Sequence, residues 1–136
     1  ILRSADVFAA DLVIMPEKRA AKETDTVARS SAGAAAYVPV ATVANLARAV
    51  ERLKEAGFWT YAADMGGQSL PDADLSGRVA VALGAEGSGV SRLLKERCDG
   101  ALSIPQFGHV DSLNVSVAAG VVLYELRKKL GPPARP

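Results

Sequence analysis

The sequence predicts a three-layer α/β domain with a mostly parallel sheet, and three observations carry that expectation. Short apolar runs alternate with helix-patterned segments along the chain. The run "RVAVALG" (78–84) is continuous valine and alanine, the pattern of a strand covered on both faces. Two loops, "GAEGSG" (84–89) and "PQFGHVDSLN" (105–114), each follow such a strand, and open parallel sheets bind ligands at those carboxyl ends.

The elements follow in order. Leu2, Ala5, Phe8 and Ala9 recur at helical spacing, and "DLVIMP" is a β-branched strand closed by proline. "EKRAAKETDTVARSSAGAAAY" reads as a basic and then small-residue loop, after which "YVPVA" is a short strand whose Pro39 places it at an edge or a strand end. From Thr42 to Gly57 the pattern is an amphipathic helix, with Val43, Leu46, Val50 and Leu53 on one face, Thr42 able to cap its start and Gly57 its end. "FWTYAAD" is a strand and "MGGQSLPDADLSG" a loop, followed by the valine-alanine strand and the glycine turn. "VSRLLKERC" makes a short helix with Val90, Leu93 and Leu94 inward, and "ALSIP" makes the last strand. "LNVSVAAGVVLYELRKKL" is β-branched enough to pass for a strand. Its length and its cationic finish at Arg127, Lys128 and Lys129 favour a long helix instead. So apolar a helix needs cover on more than one side, which predicts a homodimer through it.

Composition bounds the function. The chain has 136 residues, 49% of them hydrophobic, enough for one core and too few for two ordinary domains. Its formal net charge of +1 announces no global field toward nucleic acid, although a local basic face remains open. The lone Cys98 can form neither an internal disulfide nor a metal cluster, which fits a reducing compartment such as the cytoplasm; it reads as a small, half-buried helix residue. The longest apolar runs fall short of a membrane span, and no signal segment opens the chain. "GPPARP" (131–136) reads as a flexible tail.

The glycines Gly84, Gly87 and Gly89 let backbone groups approach a small molecule, or they turn a corner. Their spacing matches neither the dinucleotide fingerprint nor a phosphate loop, so the residues by themselves leave the ligand open.

"LGAEGSGVSRLLKERCD", "LSIP" and "DSLNVSVAAGVVLYE" together resemble motifs two and three of the SpoU/TrmH branch of the SPOUT class of RNA methyltransferases, and "ILRSAD" resembles the end of its motif one. "SSAGAAAYVPV" with the helix after it is similar to the subgroup that 2′-O-methylates a guanosine of 23S ribosomal RNA. The similarity runs from Ile1 to Leu130, so residues 1–130 are expected to form the catalytic domain. It implies an α/β fold with a C-terminal deep trefoil knot that binds S-adenosylmethionine, a rare exception to the rule against knots. It also implies structured RNA as substrate and no metal. The family's motif one opens with an asparagine and a glycine after a first strand; Ile1 falls just past both, which implies a catalytic domain cut at its front edge.

Residue by residue, the resemblance assigns donor binding by backbone groups to Gly84, Ile104 and Leu113. It assigns roles near substrate and donor to Glu86, Ser112 and Asn114, and a place beside the target ribose hydroxyl to Arg3. Plainer readings stand beside these: Glu86 as a turn carboxylate capping a helix at Val90, Ser112 as N-cap of the last helix, Arg3 as a surface arginine. An arginine keeps its proton above pH 12, so Arg3 is read as stabilising an alkoxide or positioning a phosphate. His109, the only histidine, reads as RNA-facing or merely exposed, and Lys18, Arg19, Lys22 and Arg29 as either a phosphate-binding or a solvated loop.

Overall fold

The computed structural model describes residues 1–18, 37–85, 89–110 and 112–134. In chain order the elements are α1 (Leu2–Val7), β1 (Val13–Pro16), β2 (Val40–Val43), α2 (Leu46–Glu55), β3 (Trp59–Ser69), a 3₁₀ turn (Leu70–Asp72), β4 (Val79–Ala82), α3 (Arg92–Arg97), β5 (Gly100–Ser103) and α4 (Val115–Leu130). Every strand pairing is parallel, as the alternation of strands and helices predicts. The strands form two sheets, however: a β1–β2 pair, and a three-stranded sheet in the order β4-β3-β5.

Three layers are built around the larger sheet. On one side Ala47 and Val50 of α2 pack with Ala62 of β3 and with Val90 and Leu94 around α3. On the other, Leu70, Ala73 and Leu75 of the 3₁₀ segment meet Leu102 of β5 and Val122 and Leu126 of α4, with Tyr61, Val79 and Val81 packed against them. The pleat accounts for the division, because Ala62 and its neighbour Tyr61 point to opposite faces. Each apolar side chain removed from water this way contributes about 1.5–3 kcal/mol before entropy is counted.

Several boundaries differ from the sequence reading. Thr42 and Val43 extend β2 by their β-branched propensity, and α2 is capped instead by Asn45, whose Oδ1 accepts a hydrogen bond from the Arg48 N–H at 3.2 Å. Gly57 adopts φ +93° just past the end of α2, the left-handed conformation that ends many helices. α3 begins at Arg92, two residues after Val90, with Ser91 capping it, and this phase turns Leu93 outward, 49% exposed, while Val90 and Leu94 stay buried. β4 has both faces covered yet is only partly buried, because it lies at the edge of its sheet. β3 runs on through Gly66 and Gly67, which the composition marks as loop. Ala63 and Gln68 both pair with Leu102, so residues 64–67 bulge out between them.

At the amino end of the sheet, buried Thr60 is satisfied by one carboxylate. Asp99 Oδ2 accepts from the Thr60 backbone N–H at 2.8 Å and from its hydroxyl at 3.0 Å, with Lys54 Nζ 3.6 Å from Oδ1. The bond from the Thr60 N–H is the largest cause holding the Asp99 carboxyl below its usual range, with the Thr60 hydroxyl and Lys54 adding to it. A lowered folded-state value stabilises above the unfolded carboxylate's pKa, near 4, and that stabilisation is lost as pH falls through the folded value. Asp99→Ala is expected to cost about 1–3 kcal/mol at pH 7 by denaturant unfolding, with the gap to the parent narrowing below about pH 4.

Candidate donor and RNA site at the carboxyl edge

The central strand aligns the candidate site. Ala62 stands opposite Ala82, the last residue of β4, and Ala101 of β5; beyond Ala63 the strand bulges, and it is Ser69 that pairs with Ser103, the last residue of β5. Gly84 and Ile104, which the resemblance pairs as donor-binding positions, follow the carboxyl ends of β4 and β5, the two strands that flank β3.

Each strand end has a local cause. Beyond β4 the chain closes on itself through an antiparallel bridge between Ala85 and Gly89. A Cβ at Gly84 would run into the Gly89 backbone, and Gly89 sits at φ +68°. Glycine is needed at both, one for approach and one for conformation. Beyond β5 the chain leaves the sheet at Pro105, and residues Pro105 to Val110 with Ser112 and Leu113 line a concavity of about 460 Å³. Its size lies within the range of small-molecule pockets, and Pro105, Phe107, Val110 and Leu113 give it apolar walls. Phe107 is 96% exposed, and Ser112, His109 and Asn114 are exposed as well.

Asn114, rather than Ser112, caps the last helix: its Oδ1 accepts from the Ser116 N–H at 2.8 Å. Arg3 is an exposed residue of α1. α1 lies along α4 with both chains running the same way: Ser4 lies at Gly120, the Phe8 ring meets Tyr124 edge-on at 5.8 Å, and the Phe8 and Ala9 carbonyls meet Arg127. Arg3 is accordingly carried at the same end of α4 that Asn114 caps. Glu86 lies outside the described residues, as do Arg19, Lys22 and Arg29 of the basic loop; Lys18 is exposed.

The sequence reading missed the bulge in β3. Asp64 accepts from the Gly66 N–H at 3.2 Å and pairs with Lys95 of α3 at 3.4 Å. A Cβ at Gly67 would come within 2.5 Å of the Ala101 carbonyl carbon, so this bulge lies directly on β5, where Ser103 Oγ donates to the Gly67 carbonyl at 3.1 Å. The tandem glycine after an apolar strand was the available signal. Cys98 is a poor nucleophile, since burial pushes its thiol up.

Gly84→Ala is expected to destabilise the domain by about 2 kcal/mol or more, since its Cβ would run into the Gly89 backbone. Gly108→Ala, where a Cβ meets open space, is expected to leave stability within about 0.5 kcal/mol. Thermal unfolding and calorimetry of the two variants check this contrast.

The profile of the SpoU rRNA Methylase family matches residues 1–124. An uncharacterised tRNA/rRNA methyltransferase of Borreliella burgdorferi is 44% identical over 131 residues, which are 96% of this chain and 58% of that protein. The chain thus spans little more than half the length of the relatives it matches. Among solved structures, the SpoU methyltransferase AviRb of Streptomyces viridochromogenes in complex with AdoMet superposes with TM-score 0.82 at 29% identity, over 94% of this chain and 51% of its own. An RNA 2′-O ribose methyltransferase superposes with TM-score 0.82 at 27% identity, over 95% and 50%. Parallel strands, an Ala85–Gly89 bridge after β4 and a proline-led loop after β5 are thus found in a chain whose sequence matches the same profile over nearly its whole length, and it belongs to the SpoU rRNA Methylase family.

Proposed function

We propose that this domain is the catalytic part, spanning residues 1–130, of an S-adenosylmethionine-dependent RNA 2′-O-ribose methyltransferase whose substrate is a guanosine of 23S ribosomal RNA. The observation that supports the reading is the parallel pairing of β4 and β5 with β3, from whose carboxyl ends the chain continues to Gly84 and to Ile104, the latter leading into a concavity lined by Ser112 and Leu113. The complex of AviRb with AdoMet supports the cofactor, and the ribose methyltransferase relative supports the reaction. The resemblance to the guanosine subgroup supports the substrate, and the family's threaded C-terminal knot is proposed on the same ground.

The residues present fit the donor. Gly84 has no side chain and lies against the Gly89 backbone, and Ile104 and Leu113 offer apolar cover to a flat base. When bound, S-adenosylmethionine supplies a methyl group activated by a sulfonium sulfur. A guanidinium is a donor with no acceptor atom, so Arg3 stabilises charge developing on the ribose oxygen or holds the adjacent phosphate, and the proton passes to another acceptor. Asn114 fixes the start of α4 and with it the backbone at Leu113. Holding both reactants in place then provides most of the acceleration.

The same reading extends to assembly and compartment. α4 buries Ala119, Val122 and Leu126 but leaves Val117, Val121 and Tyr124 between 39% and 56% exposed on one stripe. That stripe is proposed as the face of a homodimer, working in the cytoplasm. Among the described residues no helix is long and apolar enough to cross a membrane.

Transfer of tritiated methyl groups to ribosomal and to transfer RNA tests the function. The expected outcome is incorporation into ribosomal RNA as a 2′-O-methyl nucleoside, reduced about 100-fold by Arg3→Ala and at least tenfold by Asn114→Ala. Full activity in both variants would refute the site. Light scattering tests the dimer: Val121→Glu is expected to yield a monomer from a dimeric parent, and a monomeric parent would contradict the proposed face.

A further inference from the structure

α1 has six residues, too few to hold a helix by its own hydrogen bonds, so its placement is set by what it packs against. Its carboxyl end is gripped by one side chain. Arg127 of α4 donates from Nε to the Phe8 carbonyl at 3.0 Å and from Nη2 to the Ala9 carbonyl at 3.0 Å, while Nη1 donates to the Gly131 carbonyl at 2.9 Å. The three acceptors lie where α1 and α4 each leave carbonyls without an intrahelical partner and where helix dipoles favour a cation. One planar fork therefore closes both helix ends at once. Ala9 holds φ +57°, a left-handed conformation unusual for a residue with a side chain, and this turns its carbonyl into the fork.

We propose that Arg127 is a positioning residue for methyl transfer: by locking the end of α1 to α4 it fixes the height and rotation at which α1 presents Arg3. The inference rests on the reading that Arg3 serves the reacting ribose. Five residues of helix separate Arg3 from Phe8, roughly 8 Å along the axis, so Arg127 acts through the helix rather than on the substrate. Two further contacts keep the same register, Phe8 against Tyr124 and Ser4 against Gly120, but neither has the directionality of three charged hydrogen bonds. Lysine at 127 could reach one carbonyl and not the fork.

The test compares the parent with Arg127→Ala, Arg127→Lys, Arg3→Ala and the Arg3→Ala/Arg127→Ala double variant. Single-turnover methylation at saturating donor and RNA is expected to slow 10- to 100-fold in Arg127→Ala, with donor Kd changed less than twofold. Arg127→Lys is expected to recover only part of the rate. The double variant is expected to be no slower than Arg3→Ala, because once Arg3 is gone its placement no longer matters. Amide exchange in residues 4–10 is expected to quicken at least tenfold in Arg127→Ala, with β3 unchanged. Multiplying losses in the double variant, or unchanged exchange in residues 4–10, would overturn the proposal, as would equal loss of donor binding and rate. Full activity in Arg3→Ala would instead refute the reading of Arg3 on which it rests, and the positioning role with it.

Discussion

The carboxyl edge of this domain depends on the pairing of one small residue. Ala62 is wholly buried, stands opposite Ala82 on one side and Ala101 on the other, and packs beneath α2 and α3. A larger side chain there would press α2 and α3 away from the sheet, and a slip of one residue would exchange the faces of the whole strand. With the register held, β4 and β5 run parallel to β3 on either side of it, and the segments that follow them leave from their carboxyl ends. The opposite end of β3 is held as firmly: Asp99 satisfies both polar groups of buried Thr60. One end of the sheet thus carries its buried polar bonding internally, while the other presents loops to solvent.

A second dependency runs through α4. Its inner face fills the core with Val122 and Leu126, its first turn is fixed by Asn114, and its last turns hold α1 through Tyr124 and Arg127. The same helix therefore connects the loop after β5 to the short helix bearing Arg3. Because α1 and α4 run in the same direction, Arg3 and Asn114 lie toward one end, although 111 positions separate them in the chain. Residues far apart in the sequence are brought to one end of the helix pair here through helix packing alone.

Much of the fold was legible in the residues. Each strand and long helix left a periodic or continuous apolar pattern, and parallel pairing followed from their alternation. What was illegible is equally physical. The choice of Asn45 over Thr42, and of Asn114 over Ser112, as helix caps depends on where the preceding segment ends, and β-branched Thr42 joins β2 instead. The passage of β3 through Gly66 and Gly67 depends on β5 being close enough to exclude a side chain, a tertiary fact that glycine only hints at. Leu93 turned outward because α3 begins two residues later than its apolar spacing implied. As for the site, local physics found the two loops, and the structure shows that they follow the two strands flanking β3. The identity of the donor and the roles of Gly84, Ile104 and Arg3 came from resemblance, since bland residues acting through their backbone leave no chemical signature.

The central claim is that the donor binds at the carboxyl edge set by β3. Amide chemical shifts recorded during titration with S-adenosylmethionine test it most directly. The account predicts that shifts concentrate at Leu83, Gly84, Ile104 and Leu113, with Thr60 and Asp99 at the far end of the sheet unmoved. Shifts centred on Thr60 and Asp99, or none at Gly84 and Ile104 at saturating donor, would contradict it.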